Sequence, residues 1–108
     1  RISTVDLAPY LRREPAGTFR LDMPDSHLDA IMEMAEGLTE RRFFGEVILT
    51  GSVIAQLGTP DQQGRVRGLL EKLAADDDFI IADFARWAID NPPDDEQLAE
   101  FYPHPMER

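Results

Sequence analysis

The connection Gly58-Thr59-Pro60 constrains the fold of this chain most strongly, because it ends one helix and begins another within three residues. Glycine favours the left-handed conformation that often closes a helix. Thr59 is a favourable N-cap, Pro60 suits the first helical position, and Gln62 completes a capping box with Thr59. The connection therefore predicts two consecutive helices. The apolar face of the second is formed by Val66, Leu69, Leu70 and Leu73.

The chain before this connection predicts two more helical segments. One is expected to begin at Ser26, with Asp29 at capping-box spacing, and to end or kink at Gly37. The next spans residues 39–57 and carries apolar side chains on more than one face, which is typical of a central, buried helix. Its β-branched residues leave a strand at residues 47–50 as the alternative. The apolar face of the first segment comprises Leu28, Ile31, Met32, Ala35 and Leu38.

A further helix is expected after the acidic run of Asp76, Asp77 and Asp78. Carboxylates are favourable at a helix N-terminus, where they interact with the helix dipole and cap free N–H groups. We expect Arg86 and Asp90, four residues apart, to pair on the outer side of this helix. The apolar residues expected to face the core are Ile80, Phe84, Trp87 and Ala88.

Asn-Pro-Pro at residues 91–93 is expected to stop that helix before a second acidic run begins. This run consists of Asp94, Asp95 and Glu96. Its carboxylates again predict a helix N-terminus. The apolar residues of this short last helix are Leu98, Phe101 and Tyr102. The tail at residues 103–108 contains two prolines and is expected to be loose.

The N-terminal segment, residues 1–23, is less regular. Ser3 or Thr4 is expected to cap a short helix, which Pro and Gly in residues 14–17 would break. Residues 18–21 alternate between polar and apolar side chains and predict a strand. A single strand leaves its backbone groups unpaired, so it needs a partner from the N-terminal segment or from a second subunit. The apolar residues of the short helix are Val5, Leu7, Tyr10 and Leu11.

These patterns predict a mainly α fold of four to five short-to-medium helices packed as a small bundle, with a possible short N-terminal β-strand or hairpin. We expect residues 1–108 to form a single small domain, with an irregular, strand-containing segment at 1–23, a helical body at 24–102 and a loose tail at 103–108. The length and the 43% content of hydrophobic residues suffice for one core. Self-association or a partner would supplement the modest core of so small a domain.

The sequence contains no cysteine, which excludes disulfides, a thiolate nucleophile and cysteine-based metal sites, and favours the reducing cytoplasm as the location. No apolar run approaches the ~20 residues that span a bilayer, and the N-terminus lacks the pattern of a signal peptide. Because the chain opens at Arg1 rather than at Met, we expect it to be trimmed, renumbered or cut from a longer chain.

The net charge of −10 is concentrated towards the C-terminus, since residues 71–108 contain eleven acidic and three basic side chains. Such a surface repels phosphate backbones and anionic lipids. We therefore expect no direct binding to nucleic acid and none to membranes.

Two features allow a chemical interpretation. His27, Asp29 and His104 have the composition of the two-histidine, one-carboxylate iron site. Their predicted positions, in the first turn of a helix and in a proline-rich tail, do not suit that site, so we expect no metal and no cofactor. Glu46 lies in the most apolar segment, where burial would raise its pKa. The alternative, which we favour, is that Glu46 lies at the rim or pairs with an arginine from residues 41–42.

The sequence thus favours a non-enzymatic protein–protein interaction module, such as an adaptor, a regulator or an immunity-type protein, with no catalytic residues. Its partner is expected to be another protein, a second copy in a homodimer, or both. The candidate partner-binding residues are Asp76, Asp77, Asp78, Asp94, Asp95 and Glu96. Two alternatives stay open: a small helical enzyme or enzyme accessory subunit that uses a carboxylate such as Glu46, and an acidic mimic of nucleic acid.

Overall fold

A computed structural model describes residues 7–37 and 44–102. Over these residues the chain forms a two-stranded hairpin followed by five helices packed together, which confirms the predicted mainly α fold with an N-terminal hairpin. The expected cap at Ser3 or Thr4, Leu38, the start of the second helical segment and the 103–108 tail lie outside the described residues. In order, the elements are a 3-10 turn (Ala8–Tyr10), β1 (Leu11–Arg13), β2 (Phe19–Leu21), α1 (Asp25–Gly37), α2 (Phe44–Leu57), α3 (Pro60–Ala74), α4 (Phe79–Asp90) and α5 (Asp95–Phe101).

The N-terminal hairpin provides the partner that the predicted strand required. β1 and β2 are antiparallel, with Leu11 opposite Leu21, and both side chains are buried. Gly17 takes a positive φ of 97° in the connecting turn, a conformation that favours glycine. The short helix expected to include Leu11 is wrong within the described residues. Only one 3-10 turn forms there, because the backbone from Leu11 onward pairs with β2.

Exposed ion pairs lie on the surface of the hairpin. The guanidinium of Arg20 donates to Glu14 at 2.8 Å and to Asp22 at 2.6 Å. The hydrogen bond to the Glu14 side chain is the main reason why the pKa of Arg20 is raised. All three side chains are solvent-accessible, so these pairs contribute little to stability. They do leave the Arg20 guanidinium already paired with two carboxylates.

Helix α2 lies at the centre and packs against α3 and α4. The prediction of a buried helix is confirmed, and the alternative strand at residues 47–50 is excluded, because these residues lie inside α2. A Cβ atom placed on Gly51 would lie 3.3 Å from Cδ2 of Leu70, so the missing side chain allows α3 to approach closely. The buried residues of α2 are Val47, Ile48, Thr50, Gly51, Ser52, Val53 and Ile54.

The capping box at the start of α3 is confirmed, whereas the left-handed cap expected at Gly58 is wrong, because Gly58 does not adopt a positive φ and its N–H donates to the Ile54 carbonyl as in a continuing helical turn. The backbone N–H of Gln62 donates to the Thr59 hydroxyl, and the Thr59 N–H donates to Oε1 of Gln62 at 3.0 Å. Gln62 is also 1% exposed, and its Nε2 donates to the Met23 carbonyl and to the Asp25 carboxylate. The expected N-cap at Ser26 is wrong, because α1 begins at Asp25 and therefore includes Ser26. Gln62 thus joins the start of α3 to the start of α1.

Helix α4 faces the core differently from the prediction. Ile80 and Trp87, which we expected to face inward, are 67% and 49% exposed. The small inward residues let α4 approach α2 and α3 closely, and this leaves the large side chains outside. The residues that α4 buries are Ile81, Ala82, Ala85 and Ala88.

The expected pair between Arg86 and Asp90 is also wrong. Arg86 contacts Asp83 at 3.2 Å and donates to the Ala74 carbonyl at 3.0 Å, at the end of α3. This carbonyl ends its helix without an intrahelical partner, which makes it a good acceptor for a guanidinium. Across residues 7–37 and 44–102, no helix is both long and apolar enough to cross a bilayer.

Candidate functional site

Large apolar side chains from three helices remain exposed around one groove. Leu49 of α2 and Phe101 of α5 are 40% and 51% exposed, and together with Trp87 of α4 they line a common depression. Leu49 and Phe101 also line an adjoining open cleft of about 260 Å³, which Val53 and Tyr102 extend. We call these two adjoining depressions the outer groove.

Local hydrogen bonds place the helix ends that form the outer groove. The amide of Asn91 donates to the Trp87 carbonyl at 2.8 Å in the last turn of α4. Asp94 then caps α5 and forms a capping box with Gln97. Leu98 is buried and anchors α5 to the core. Phe101 and Tyr102, at the end of α5, line the cleft together with residues of α2.

An apolar stripe on α4 continues the outer groove. Ile80, Phe84 and Trp87 follow one another at steps of four and three residues, so they lie on one side of the helix. The rings of Phe84 and Trp87 are 6.0 Å apart between centroids. Phe84 is half-buried and lies close to Gly45 at the start of α2. The apolar surface therefore extends along much of α4.

The helices that form the outer groove carry an excess of negative charge. Glu46 lines its cleft from the first turn of α2. Asp83 and Asp90 are i−4 and i+3 neighbours of Trp87 on α4. Helices α2, α4 and α5 together contain one basic residue, Arg86, which already contacts Asp83. Their six acidic residues are Glu46, Asp83, Asp90, Asp95, Glu96 and Glu100.

The first predicted acidic cluster, residues 76–78, lies at the N-terminus of α4. Asp78 accepts a hydrogen bond from the N–H of Ile80 and caps the helix, as expected. Asp76 accepts from the N–H of Asp78 at 2.8 Å, and Asp77 is exposed. Two of these three carboxylates thus shape the turn before α4.

The second predicted cluster, residues 94–96, lies at the N-terminus of α5. Asp94 is the N-cap, Asp95 accepts a long, 3.4 Å hydrogen bond from the N–H of Phe19, and Glu96 is exposed. The two clusters flank opposite ends of α4, which is about 18 Å long for its 12 residues. The structure therefore places the six predicted residues at two different helix N-termini.

The residues of the candidate metal site have other surroundings. Asp29 forms an ion pair with Arg65 of α3 at 2.7 Å. The ring of His27 packs on Tyr10 with 4.7 Å between centroids, and its Nε2 is buried with no hydrogen-bond partner in the described part of the chain. His104 lies outside the described residues. Within them, no group of three His, Cys, Asp or Glu side chains could hold a metal ion.

Glu46 is exposed at the edge of the outer groove, as the favoured rim interpretation predicted. Its pairing with residues 41–42 concerns side chains outside the described range. Sequence reasoning did not identify Leu49, Trp87 and Phe101 as surface residues. A usable signal was present in α4, where alanines at 82, 85 and 88 form a second apolar face that competes for the core.

Comparison of this chain with protein-family models, with curated proteins and with solved structures finds no match. Its function must therefore be argued from the outer groove and the charges around it.

Proposed function

We propose that this chain is a non-enzymatic protein-binding module that docks a partner in the outer groove. The observation that carries this proposal is the convergence of Leu49, Trp87 and Phe101, from three different helices, on one exposed apolar surface. Contiguous apolar surface with a polar rim is typical of protein interaction sites. Aromatic side chains, Trp above all, are common anchors of such interfaces. We place the interaction in the cytoplasm because the sequence contains no cysteine.

The alternatives have less support. An enzyme that uses a carboxylate would rest on Glu46, a single exposed acid in an open cleft. A nucleic-acid mimic needs carboxylates in a continuous array, whereas here Glu46 borders an apolar cleft and the two acidic runs lie at separate helix N-termini. The homodimer stays a prediction, although the hairpin removes one argument for it, because β2 already has its partner in β1.

Site-specific photocrosslinking tests the proposal. We would place benzoylphenylalanine at Phe101 and, as a control, at Glu33, which is exposed on α1 and lies outside the outer groove and the α4 stripe. In the native host we expect a discrete covalent conjugate with another protein from position 101 and little or none from position 33. The absence of a protein conjugate from position 101, or equal conjugates from both positions, would overturn the proposal.

A further inference from the structure

We infer that the outer groove binds a cationic, amphipathic α-helix of a partner protein. This occupant presupposes the protein-binding function proposed above, since it uses the same groove. Two observations point to it: the helical spacing of the apolar stripe on α4 that adjoins the groove, and the excess of carboxylates on the helices that form the groove.

The geometry of the groove suits a helix rather than a strand. Leu49, Trp87 and Phe101 project from α2, α4 and α5, whose interior backbone groups are already bonded within each helix. An extended peptide therefore finds no free edge to which it can add as a strand. On α4, Ile80, Phe84 and Trp87 recur at steps of four and three residues. A partner helix presents its apolar residues at the same steps, so the two sets can interdigitate.

The charge of the rim favours Lys and Arg on the partner. Glu46 lies at the groove on α2, and Asp83 and Asp90 flank Trp87 on α4. A neutral helix would bury apolar surface beside these carboxylates without pairing them. Basic residues on both sides of the partner's apolar face would pair with them and would also steer its approach.

A second copy of this chain is a poorer occupant. A symmetric dimer through the outer groove would bring identical carboxylates together across the interface. A head-to-tail contact would have to use basic side chains of the other copy, and of these Arg20 is already paired with Glu14 and Asp22, and Arg65 with Asp29. The exposed cations of α3, Arg67 and Lys72, share their helix with the exposed carboxylate of Glu71, which an approaching acidic rim would also meet. Charge complementarity therefore favours a cationic helix from a different protein.

A fluorescence titration of the full chain tests this inference. Trp87 is the only Trp in the sequence and lines the groove, so its emission reports directly on occupancy. The probe is a helical peptide of Leu and Lys, about 18 residues long, with Leu at helical spacing and no aromatic residue. We expect it to shift the Trp87 emission to shorter wavelength, and we expect added salt to weaken the binding about tenfold.

Two control peptides separate the contributions of charge and shape. One replaces every Lys with Glu, and the other keeps the composition but scrambles the apolar face. We expect each to bind at least about tenfold more weakly than the first peptide, a difference of about 1.4 kcal/mol. Equal binding of the Glu peptide, or binding that leaves the Trp87 emission unchanged, would overturn the inference.

Matched charge variants locate the attraction. The triple variant E46Q, D83N and D90N removes three carboxylates at the groove. The control triple, E33Q, E36Q and E71Q, removes the same charge from exposed positions on α1 and α3. We expect the first to weaken the Lys peptide at least about tenfold and the control to weaken it less than about twofold, with helicity by circular dichroism unchanged in both. Equal losses would show that net charge alone attracts the peptide.

Failure of this inference is distinguishable from failure of the proposed function. If crosslinking from Phe101 captures a protein through a segment that is not a basic amphipathic helix, the function stands and the inference is wrong. If sedimentation shows that the chain dimerises and its Trp87 emission moves to shorter wavelength with concentration, the occupant is a second copy. A conjugate that maps to a basic helix, together with the expected peptide results, supports both.

Discussion

The inner and outer faces of α4 carry apolar residues of different size and have different surroundings. The inner face buries Ile81 together with alanines such as Ala85 against α2 and α3, whereas the outer face exposes Ile80 and Trp87. Both faces have helical periodicity, so periodicity alone does not decide which one is the core. The difference shows that a helix face of small side chains can pack inward because it permits close helix packing. The large side chains on the opposite face then remain exposed and available for a partner.

The largest difference in stability is expected between alanine substitutions at two adjacent isoleucines, one on each face of α4. Ile81→Ala removes a buried side chain from the core and should lower the free energy of unfolding by about 3 kcal/mol. Ile80→Ala removes an exposed side chain and should change it by less than about 0.5 kcal/mol. Urea unfolding followed by circular dichroism measures both. Equal losses at the two positions would contradict the orientation of α4.

Overpacking of the inner face should be nearly as costly. Ala85 is fully buried, so Ala85→Leu forces extra methyl groups between α4 and its neighbours and should destabilise the fold by about 2.5 kcal/mol. Asp83→Leu adds the same side chain on the outer face, and we expect a change of less than about 0.5 kcal/mol. Thermal unfolding of both variants provides the measurement. A tolerated Leu at position 85 would mean that α4 is not closely packed.

The contrast between buried and exposed positions extends to the neighbouring polar residues Gln62 and Gln63 of α3. Gln62 donates to Met23 and Asp25 and bonds reciprocally with Thr59, so Gln62→Ala leaves buried groups unsatisfied and should cost about 2 kcal/mol. The neighbouring Gln63 makes one exposed bond, and Gln63→Ala should cost less than about 0.5 kcal/mol. Chemical unfolding of the two variants tests this. Similar small losses would show that the Gln62 contacts do not stabilise the fold.

The features that could be predicted from the sequence are those set by neighbouring residues. The Thr59–Gln62 capping box, the Asp78 cap and the Asp94 cap all depend on atoms within a few residues of one another. The buried faces of α1 and α3 could also be predicted, because each of these helices has one dominant apolar stripe. Local chemistry and a single periodicity were sufficient in these cases.

The outer groove could not be predicted in the same way. It joins residues far apart in the sequence, such as Leu49 and Trp87, and its existence depends on which face of α4 packs inward. The orientation of α4 depends on the space between α4 and its neighbours α2 and α3. A short segment of sequence does not contain this information. The acidic clusters at residues 76–78 and 94–96 were predicted to bind a partner, yet three of their six carboxylates cap a helix or support the turn before it. Charge density alone did not separate capping residues from rim residues.

The smallest change in stability is expected from replacing two helical glycines that have different neighbours. Gly68 lies in α3 with open space where a Cβ would stand, so Gly68→Ala should raise the free energy of unfolding by about 1 kcal/mol through helix propensity. Gly51 in α2 has the same helix propensity to gain, but its added Cβ would lie 3.3 Å from Cδ2 of Leu70, so that the Leu70 side chain has to shift. Gly51→Ala should therefore gain less than Gly68→Ala or lose stability. Differential scanning calorimetry measures the stability of the two variants. An equal gain in stability at both positions would mean that α2 and α3 are not closely packed at Gly51.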